Sequence, residues 1–185
     1  MYLEQQRDYK NVDLDPRSSN IEVISDLSEV NSDEGIATML GRVELNQGWR
    51  SVEADQVRII QDEDRIEMLG NIQMREPGML ITGRSASIES SSQALQFEEA
   101  EFVLHDLGLS GTADEVGRDA NGRFYVLNAT YSTCEPGEDN WSLSASEISI
   151  DENQLFATAR NMTIRVGKVP IFYAPWFAFP VGEGR

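Results

Sequence analysis

Three features of the chain predict an all-β fold. Apolar residues alternate with polar ones at a spacing of two, turn residues punctuate the sequence every 8 to 15 positions, and no window of a dozen residues carries a 3.6-residue period. Successive side chains of a strand point to opposite faces, so strict alternation describes a strand with one dry face. A hydrophobic fraction of 40% in 185 residues is enough to build a core, and the length suits one domain.

In chain order, residues 1–34 are polar and acidic, with one β-branched run at Ile21-Glu22-Val23-Ile24. They read as a mostly loose arm leading into one strand. From residue 35 to 182 alternation takes over. Its clearest stretch is Arg65 to Arg75, where Ile66, Met68, Ile72 and Met74 share one parity. Arg65, Glu67, Asn71, Gln73 and Arg75 share the other, and Leu69 is the one apolar intruder. At helical spacing these residues would surround the cylinder.

Leu95 and Phe97 then alternate with Gln96 and Glu98, Phe102 pairs in parity with Leu104, and Met162, Ile164 and Val166 alternate with Thr163 and Arg165. Tyr125 with Leu127, Leu143 with Ala145, and Ile148 with Ile150 are briefer instances. Asn46-Gln47-Gly48, Glu76-Pro77-Gly78, Asp119-Ala120-Asn121-Gly122 and the run from Glu135 to Asn140 separate them as turns. Asn121 and Gly122 both tolerate positive φ, which predicts a hairpin tip there.

A short frame, small–x–x–β-branched, recurs at Ala54-Asp55-Gln56-Val57, Ser85-Ala86-Ser87-Ile88, Ala113-Asp114-Glu115-Val116 and Ala145-Ser146-Glu147-Ile148. The last residues are spaced by 31, 28 and 32, the length of two or three strands with their turns. Such a period predicts stacked supersecondary units, each covering its neighbour's apolar face.

The chemistry is defined mostly by exclusion. With 32 acidic against 15 basic side chains the formal charge is −17, which argues against nucleic acid because phosphate binding needs clustered Lys and Arg. No apolar run approaches the roughly 20 residues of a membrane helix. The first residues, Met1 to Asp8, lack the basic-then-apolar order of a signal peptide, so the chain reads as cytosolic or as already processed. One cysteine, Cys134, permits no internal disulfide, and one histidine, His105, reads as a strand-end residue. Calcium loops, phosphate-binding glycine loops and paired cysteines are missing, so no catalytic residue, metal or cofactor is expected. The Asn-x-Thr triplets at Asn128 and Asn161 match glycosylation acceptors, but the pattern is short and common. What remains is a one-sided apolar surface in a β protein. It suits either a closed core or a partly open groove for acyl chains, each buried CH₂ contributing roughly 0.8 kcal/mol.

Two stretches separate those possibilities. One is Tyr131-Ser132-Thr133-Cys134-Glu135-Pro136-Gly137, followed by Trp141-Ser142-Leu143-Ser144-Ala145-Ser146-Glu147-Ile148. The other runs from Ala157 through Val166 into Val169-Pro170-Ile171-Phe172-Tyr173-Ala174-Pro175-Trp176-Phe177-Ala178-Phe179-Pro180. Together they resemble the periplasmic N-terminal, OstA-like domain of the LptD family of outer-membrane lipopolysaccharide-assembly proteins. That family shows a T-x-C-E-P turn, then W-x-L-x-A-x-E-I, then a V-P-V-F-Y-x-P-Y-x-x-F-P-like segment. Gly41-Arg42-Val43-Glu44-Leu45 through Ala54-Asp55-Gln56-Val57 looks like the repeat shared with LptA and LptC, so the likeness spans roughly residues 36 to 182.

The resemblance implies an open, V-shaped β-jellyroll of stacked antiparallel strands with an apolar groove. It implies a place at the periplasmic face of a Gram-negative outer membrane and no enzyme activity. It implies a conduit that receives lipopolysaccharide from LptA and passes its lipid A acyl chains to the LptD barrel, which works with LptE. Parity then makes Ile66, Met68, Ile72, Met74, Leu95, Phe97, Phe102, Leu104, Ile164 and Val166 the expected groove lining. Head-to-tail sheet pairing with LptA is expected at an N-terminal edge, for which Ile21, Glu22, Val23 and Ile24 are the candidate; an ordinary first strand or loose tail is the alternative.

Cys134 matches the family cysteine that pairs with one in the barrel, and the family's second N-terminal cysteine is absent here. Phe172, Tyr173, Trp176, Phe177 and Phe179 are expected near the membrane, or else in a rigid connector whose prolines fix its path. The chain divides on this reading into an arm (1–34), the jellyroll (35–182) and a truncated link (183–185) toward a barrel it lacks. A structural adaptor of the same fold, docking partners by sheet extension without binding lipid, is the rival.

Overall fold

Alternation at a spacing of two becomes twelve antiparallel strands. The computed structural model describes residues 14–15, 18–92, 94–105, 108–134, 140–150 and 156–180. The strands are β1 (Glu22–Ile24), β2 (Leu27–Asn31), β3 (Ile36–Gln47), β4 (Arg50–Ile60), β5 (Arg65–Glu76), β6 (Met79–Glu89), β7 (Leu95–Leu104), β8 (Leu109–Arg118), β9 (Phe124–Ser132), β10 (Trp141–Ile150), β11 (Phe156–Val166) and β12 (Val169–Pro180). No α-helix occurs among the described residues.

All twelve belong to one sheet, an open β-jellyroll in which β3 to β12 lie side by side in chain order. Short β1 and β2 run end to end along the outer side of β3, Val23 opposite Leu45 and Ser28 opposite Met39. The arm thus supplies two strands where the sequence shows one.

The turns fall where Gly, Asn and Pro place them. Gly78 (φ 79°) closes β5–β6, and its carbonyl accepts the His105 N–H at 2.8 Å. At the β8–β9 tip Gly122 has φ 83°, and Asp119 N–H donates to the Arg123 carbonyl at 3.0 Å. His105 follows the last residue of β7, as expected.

Each long strand is broken near its middle. In β3–β4, β4–β5 and β5–β6 the register shifts there. Between later strands pairing lapses and resumes without a shift, as at Thr112↔Thr130 and Glu115↔Leu127. Asn71, Glu99, Asn128 and Asn161 occupy the break with φ between 46° and 51°. Left-handed backbone is costly for most L-residues and cheapest for Asn and Asp after Gly, which explains three of these four. They recur at 28, 29 and 33 residues, so the repeating unit is a hairpin. The longer last interval contains the β9–β10 connection around Cys134.

Cross-strand register aligns Val57, Ala86, Val116 and Ile148 in one row. Three of the four frames in the sequence therefore are equivalent. The second is displaced by two: the row passes through Ala86, because Gly83 rather than Ser85 occupies the break opposite Ile72.

Apolar packing gathers in two clusters on one face of the sheet. The larger contains Val43, Val57, Met68, Ile72, Phe97 and their neighbours from β3 to β8. The smaller contains Ala145, Ala159, Met162 and Ala174 from β10 to β12.

Candidate functional site

The inner face is ordered by register. Along one rim Ile66 lies opposite Ile88, which lies opposite Leu95; Leu95 is opposite Arg118, Arg118 opposite Phe124, and Phe124 opposite Ile150. A second row passes through Met68, Ala86 and Phe97 to Val116. Beyond the strand breaks a third joins Met74, Ile81, Phe102, Gly111, Tyr131, Leu143, Ile164 and Phe172. Leu104 and Val166 continue this parity at the far rim, and Ile72 stands at the break opposite Gly83.

The sheet thus brings the ten expected lining residues to one face, but in different states. Met68 and Phe97 are 1% exposed and Ile72 is fully buried, all within the larger cluster. Ile66, Leu95 and Phe102 pack around its edge, whereas Val166 is exposed. Half of this face, on β3 to β8, is filled by its own side chains.

The other half is looser. Phe172 and Phe177, on the inner rows of β12, are 46% and 40% exposed. Phe179 stacks on Phe177 with ring centroids 6.2 Å apart. Tyr173 and Trp176 lie on the opposite face, both exposed, and the Tyr173 hydroxyl donates to Asn161 Oδ1 at 3.0 Å. The five aromatics of the Pro-rich segment therefore divide between two surfaces. Phe124, an exposed inner-face residue, escapes a sequence reading that follows Tyr125 and Leu127. Its signal is the same alternation taken at the other parity.

On the outer face Tyr125 Oη donates to Glu115 Oε1 at 2.7 Å. Burial of the phenol and, secondarily, the Glu115 carboxylate push its pKa far above the usual tyrosine value. Burial also raises that of Tyr131 on the inner face. A hollow of about 250 Å³ on β5 to β7 is lined by Arg65, Glu67, Gln96 and Glu98, which alternate with Met68 and Phe97, together with Leu69, Ser85, Ala86 and Ser87. No group of His, Cys, Asp and Glu suited to a metal occurs among the described residues.

Both ends of the sheet are single-sided. β1 and β2 are exposed throughout, with Ile21, Val23, Ile24, Leu27 and Val30 open to solvent among Glu22, Asp26 and Glu29. β12 pairs β11 alone in the sheet, and Pro170, Pro175 and Pro180 remove three donors from it.

Cys134 is a half-buried free thiol. Its N–H donates to Ser132 Oγ at 3.0 Å, and its sulfur lies 3.9 Å from the Trp141 carbonyl. Trp141 Nε1 donates to Thr133 Oγ1 at 3.2 Å, and the indole meets Tyr131 edge-on. Thr133, Cys134 and Trp141 of the motif thus pin the neck of the β9–β10 connection, whose residues 135–139 lie outside those described. So do residues 183–185 of the expected terminal link.

Comparison with known proteins meets this geometry. Residues 22–156 match the family described as LptA/(LptD N-terminal domain) LPS transport protein. The LPS-assembly protein LptD of Saccharophagus degradans is 36% identical over 80% of this chain and 17% of its own length. That of Pseudomonas entomophila is 32% identical over 100% of this chain and 20% of its own. The chain thus spans about a fifth of the length of these relatives. LptH of Pseudomonas aeruginosa, titled the LptA-homologous periplasmic component of the lipopolysaccharide transport device, superposes with TM-score 0.49 at 16% identity, over 57% of this chain and 79% of that one. With a family match over most of its strands and relatives above 30% identity, the chain belongs to the LptA/LptD N-terminal-domain family of lipopolysaccharide transport proteins.

Proposed function

We propose that this chain is a non-enzymatic periplasmic module of an outer-membrane lipopolysaccharide-assembly protein, and that its inner face carries lipid A acyl chains. The supporting observation is the run of apolar rows that crosses the sheet from β3 to β12. A guest chain on such rows stays in hydrocarbon contact while it moves, with roughly 0.8 kcal/mol per buried CH₂ and no polar bond to break. Ile66, Met68, Ile72, Met74, Leu95, Phe97, Phe102, Leu104, Ile164 and Val166 form its wall. Loading parts the filled half, where the flexible thioethers of Met68 and Met74 re-pack around mobile chains. Exit lies on the looser β9 to β12 half, at Phe172 and Phe177.

Partners follow the free edges. LptA pairs with the β1 edge at Ile21–Ile24, where unpaired backbone groups offer strand addition. The LptD barrel, with LptE, receives lipid near the aromatic β12, and Cys134 is stapled to a cysteine of that barrel in the oxidising periplasm. The jellyroll over 35–182 is the conducting unit and the preceding arm its docking edge.

Photocrosslinking amino acids test the conduit with purified lipopolysaccharide. At Phe172, Phe177, Met68 and Phe97 labelling is strong; at Tyr173, Trp176, Glu67 and Gln96, on the same strands but the opposite face, it is weak. Equal labelling on both parities ends the reading.

The burial of Met68, Ile72 and Phe97 favours a second possibility, an adaptor with a closed core that docks partners by sheet extension alone. Native mass spectrometry separates the two, because a closed core retains no lipid on purification.

A further inference from the structure

We propose that the β12 end of the sheet rests on an anionic phospholipid bilayer, held at head-group depth by the outer face of β11 and β12. The inference concerns where the module sits and stands apart from what its inner face carries.

The two ends of the sheet differ in charge. Residues 20–34, which include β1 and β2, hold five acids (Glu22, Asp26, Glu29, Asp33 and Glu34) and no base. Residues 156–180, which include β11 and β12, hold three bases (Arg160, Arg165 and Lys168) and no acid, in a chain of formal charge −17. Glu147 is the one acid in β10 to β12.

Bases and aromatic side chains share the outer surface. Tyr173 lies opposite Thr163 and Trp176 opposite Arg160, both away from the inner rows and 59% and 61% exposed. Arg160 Nε lies 3.6 Å from Glu147 Oε2, and Arg165 Nη1 donates to Ser144 Oγ at 2.9 Å, so both guanidinium groups occupy that same face. Lys168 stands in the β11–β12 turn.

A head-group layer accommodates this combination, with amphipathic rings at the boundary and cations against phosphate. The edge suits that depth and no deeper. Its unpaired backbone groups are barred from hydrocarbon, and Pro170, Pro175 and Pro180 spoil it as a template for a further strand. Charges beyond a Debye length, about 8 Å at physiological ionic strength, are screened, so the bases facing lipid outweigh acids elsewhere in the sheet.

Co-sedimentation of the 185-residue chain with vesicles tests the docking. The chain is expected to bind vesicles of equal parts phosphatidylcholine and phosphatidylglycerol, and to bind phosphatidylcholine alone far more weakly. Arg160→Gln, Arg165→Gln and Lys168→Gln together lower binding roughly tenfold or more, at about fivefold for each charge that reaches head groups. Arg160→Lys with Arg165→Lys keeps it. Arg42→Gln, Arg58→Gln and Arg84→Gln together, the same charge change made on β3, β4 and β6, leave it intact. Tyr173→Ser with Trp176→Ser abolishes it, although neither side chain faces the inner rows. Indifference of the wild type to phosphatidylglycerol overturns the docking, as does an equal loss from the β3 to β6 substitutions. Undiminished binding without Tyr173 and Trp176 overturns it too, because lipid would then be held by the inner face, and the conduit would stand. Self-association of the chain, its β12 end against the acidic β1 end, with no vesicle binding overturns it in favour of a second copy.

Discussion

Asn128 Nδ2 donates to Asp114 Oδ2 at 2.8 Å across the point where β8 and β9 break together. The same bond recurs between Asn71 and Asp55 at 2.8 Å, and between Asn161 Nδ2 and Ser146 Oγ at 3.0 Å. Where the sequence carries Arg84 and Glu99, an ion pair at 3.0 Å replaces it. At the outer edge Arg42 N–H donates to Asp26 Oδ2 at 3.3 Å. Polar side chains therefore cross the sheet as a ladder along its line of breaks, one rung per hairpin.

Asn128 both tolerates left-handed backbone and donates the rung. Asn128→Ala loses both and is expected to cost about 2 kcal/mol, whereas Asn128→Gly keeps the backbone and costs about 1 kcal/mol. Urea midpoints of the two variants, measured together, separate the contributions. Equal losses would mean that the rung alone matters.

Two glycines of β8 are roofed by aromatic rings. A Cβ at Gly111 would stand 2.5 Å from Phe102 Cζ and 2.6 Å from the Thr130 carbonyl oxygen; one at Gly117 would meet Tyr125 Oη at 2.5 Å. Gly111→Ala is expected to destabilise by about 1–3 kcal/mol. Trimming Phe102 to Leu in that background recovers only part, because the Thr130 oxygen belongs to the backbone. Thermal melts of the single and double variants check this.

The two halves of the inner face differ in what truncation costs. Met68→Ala and Phe97→Ala leave cavities in the filled half and are expected to lose about 2–5 kcal/mol. Phe172→Ala removes a side chain already half in water and loses less than about 1.5 kcal/mol. Denaturant titration ranks them; a loss at Phe172 as large as at Phe97 would mean that the β12 half is packed as tightly.

Alkaline pH should loosen the outer face through Tyr125. Its pKa is raised in the folded state by burial and by Glu115, so its contribution is complete below about pH 10, the unfolded tyrosine value. It is lost as pH rises beyond that toward the folded value. Stability measured between pH 9 and 11 falls in the wild type and less steeply in Tyr125→Phe. Parallel curves would remove Tyr125 from the account.

Much of this was legible in the chain. The parity of Ile66, Met68, Ile72 and Met74 survives a break in the middle of their strand, because the residues of the break restore the alternation. Gly78 and Gly122 mark turns because the backbone there needs positive φ. Two things were hidden. The breaks themselves look like ordinary polar positions: Asn71 and Asn128 alternate in register, and nothing local says their backbone is left-handed. The difference between filled and loose halves is likewise invisible, since Phe97 and Phe172 are the same residue type, each on a strand. Their exposure depends on what the register sets beside them on neighbouring strands, a relation that no local pattern carries. The offset second frame has the same origin, since Ser85 and Gly83 are both small and geometry alone chooses between them.

All the substantial strand contacts run between neighbours along the sheet. Such an assembly behaves like a zip more than a vault: no keystone closes it, and each hairpin is supported by the two beside it. A lesion at one rung should therefore loosen its own stretch and leave distant ones formed. Heat should part the sheet progressively from its unpaired ends, so that β1 and β2 exchange their amide protons long before β5 does.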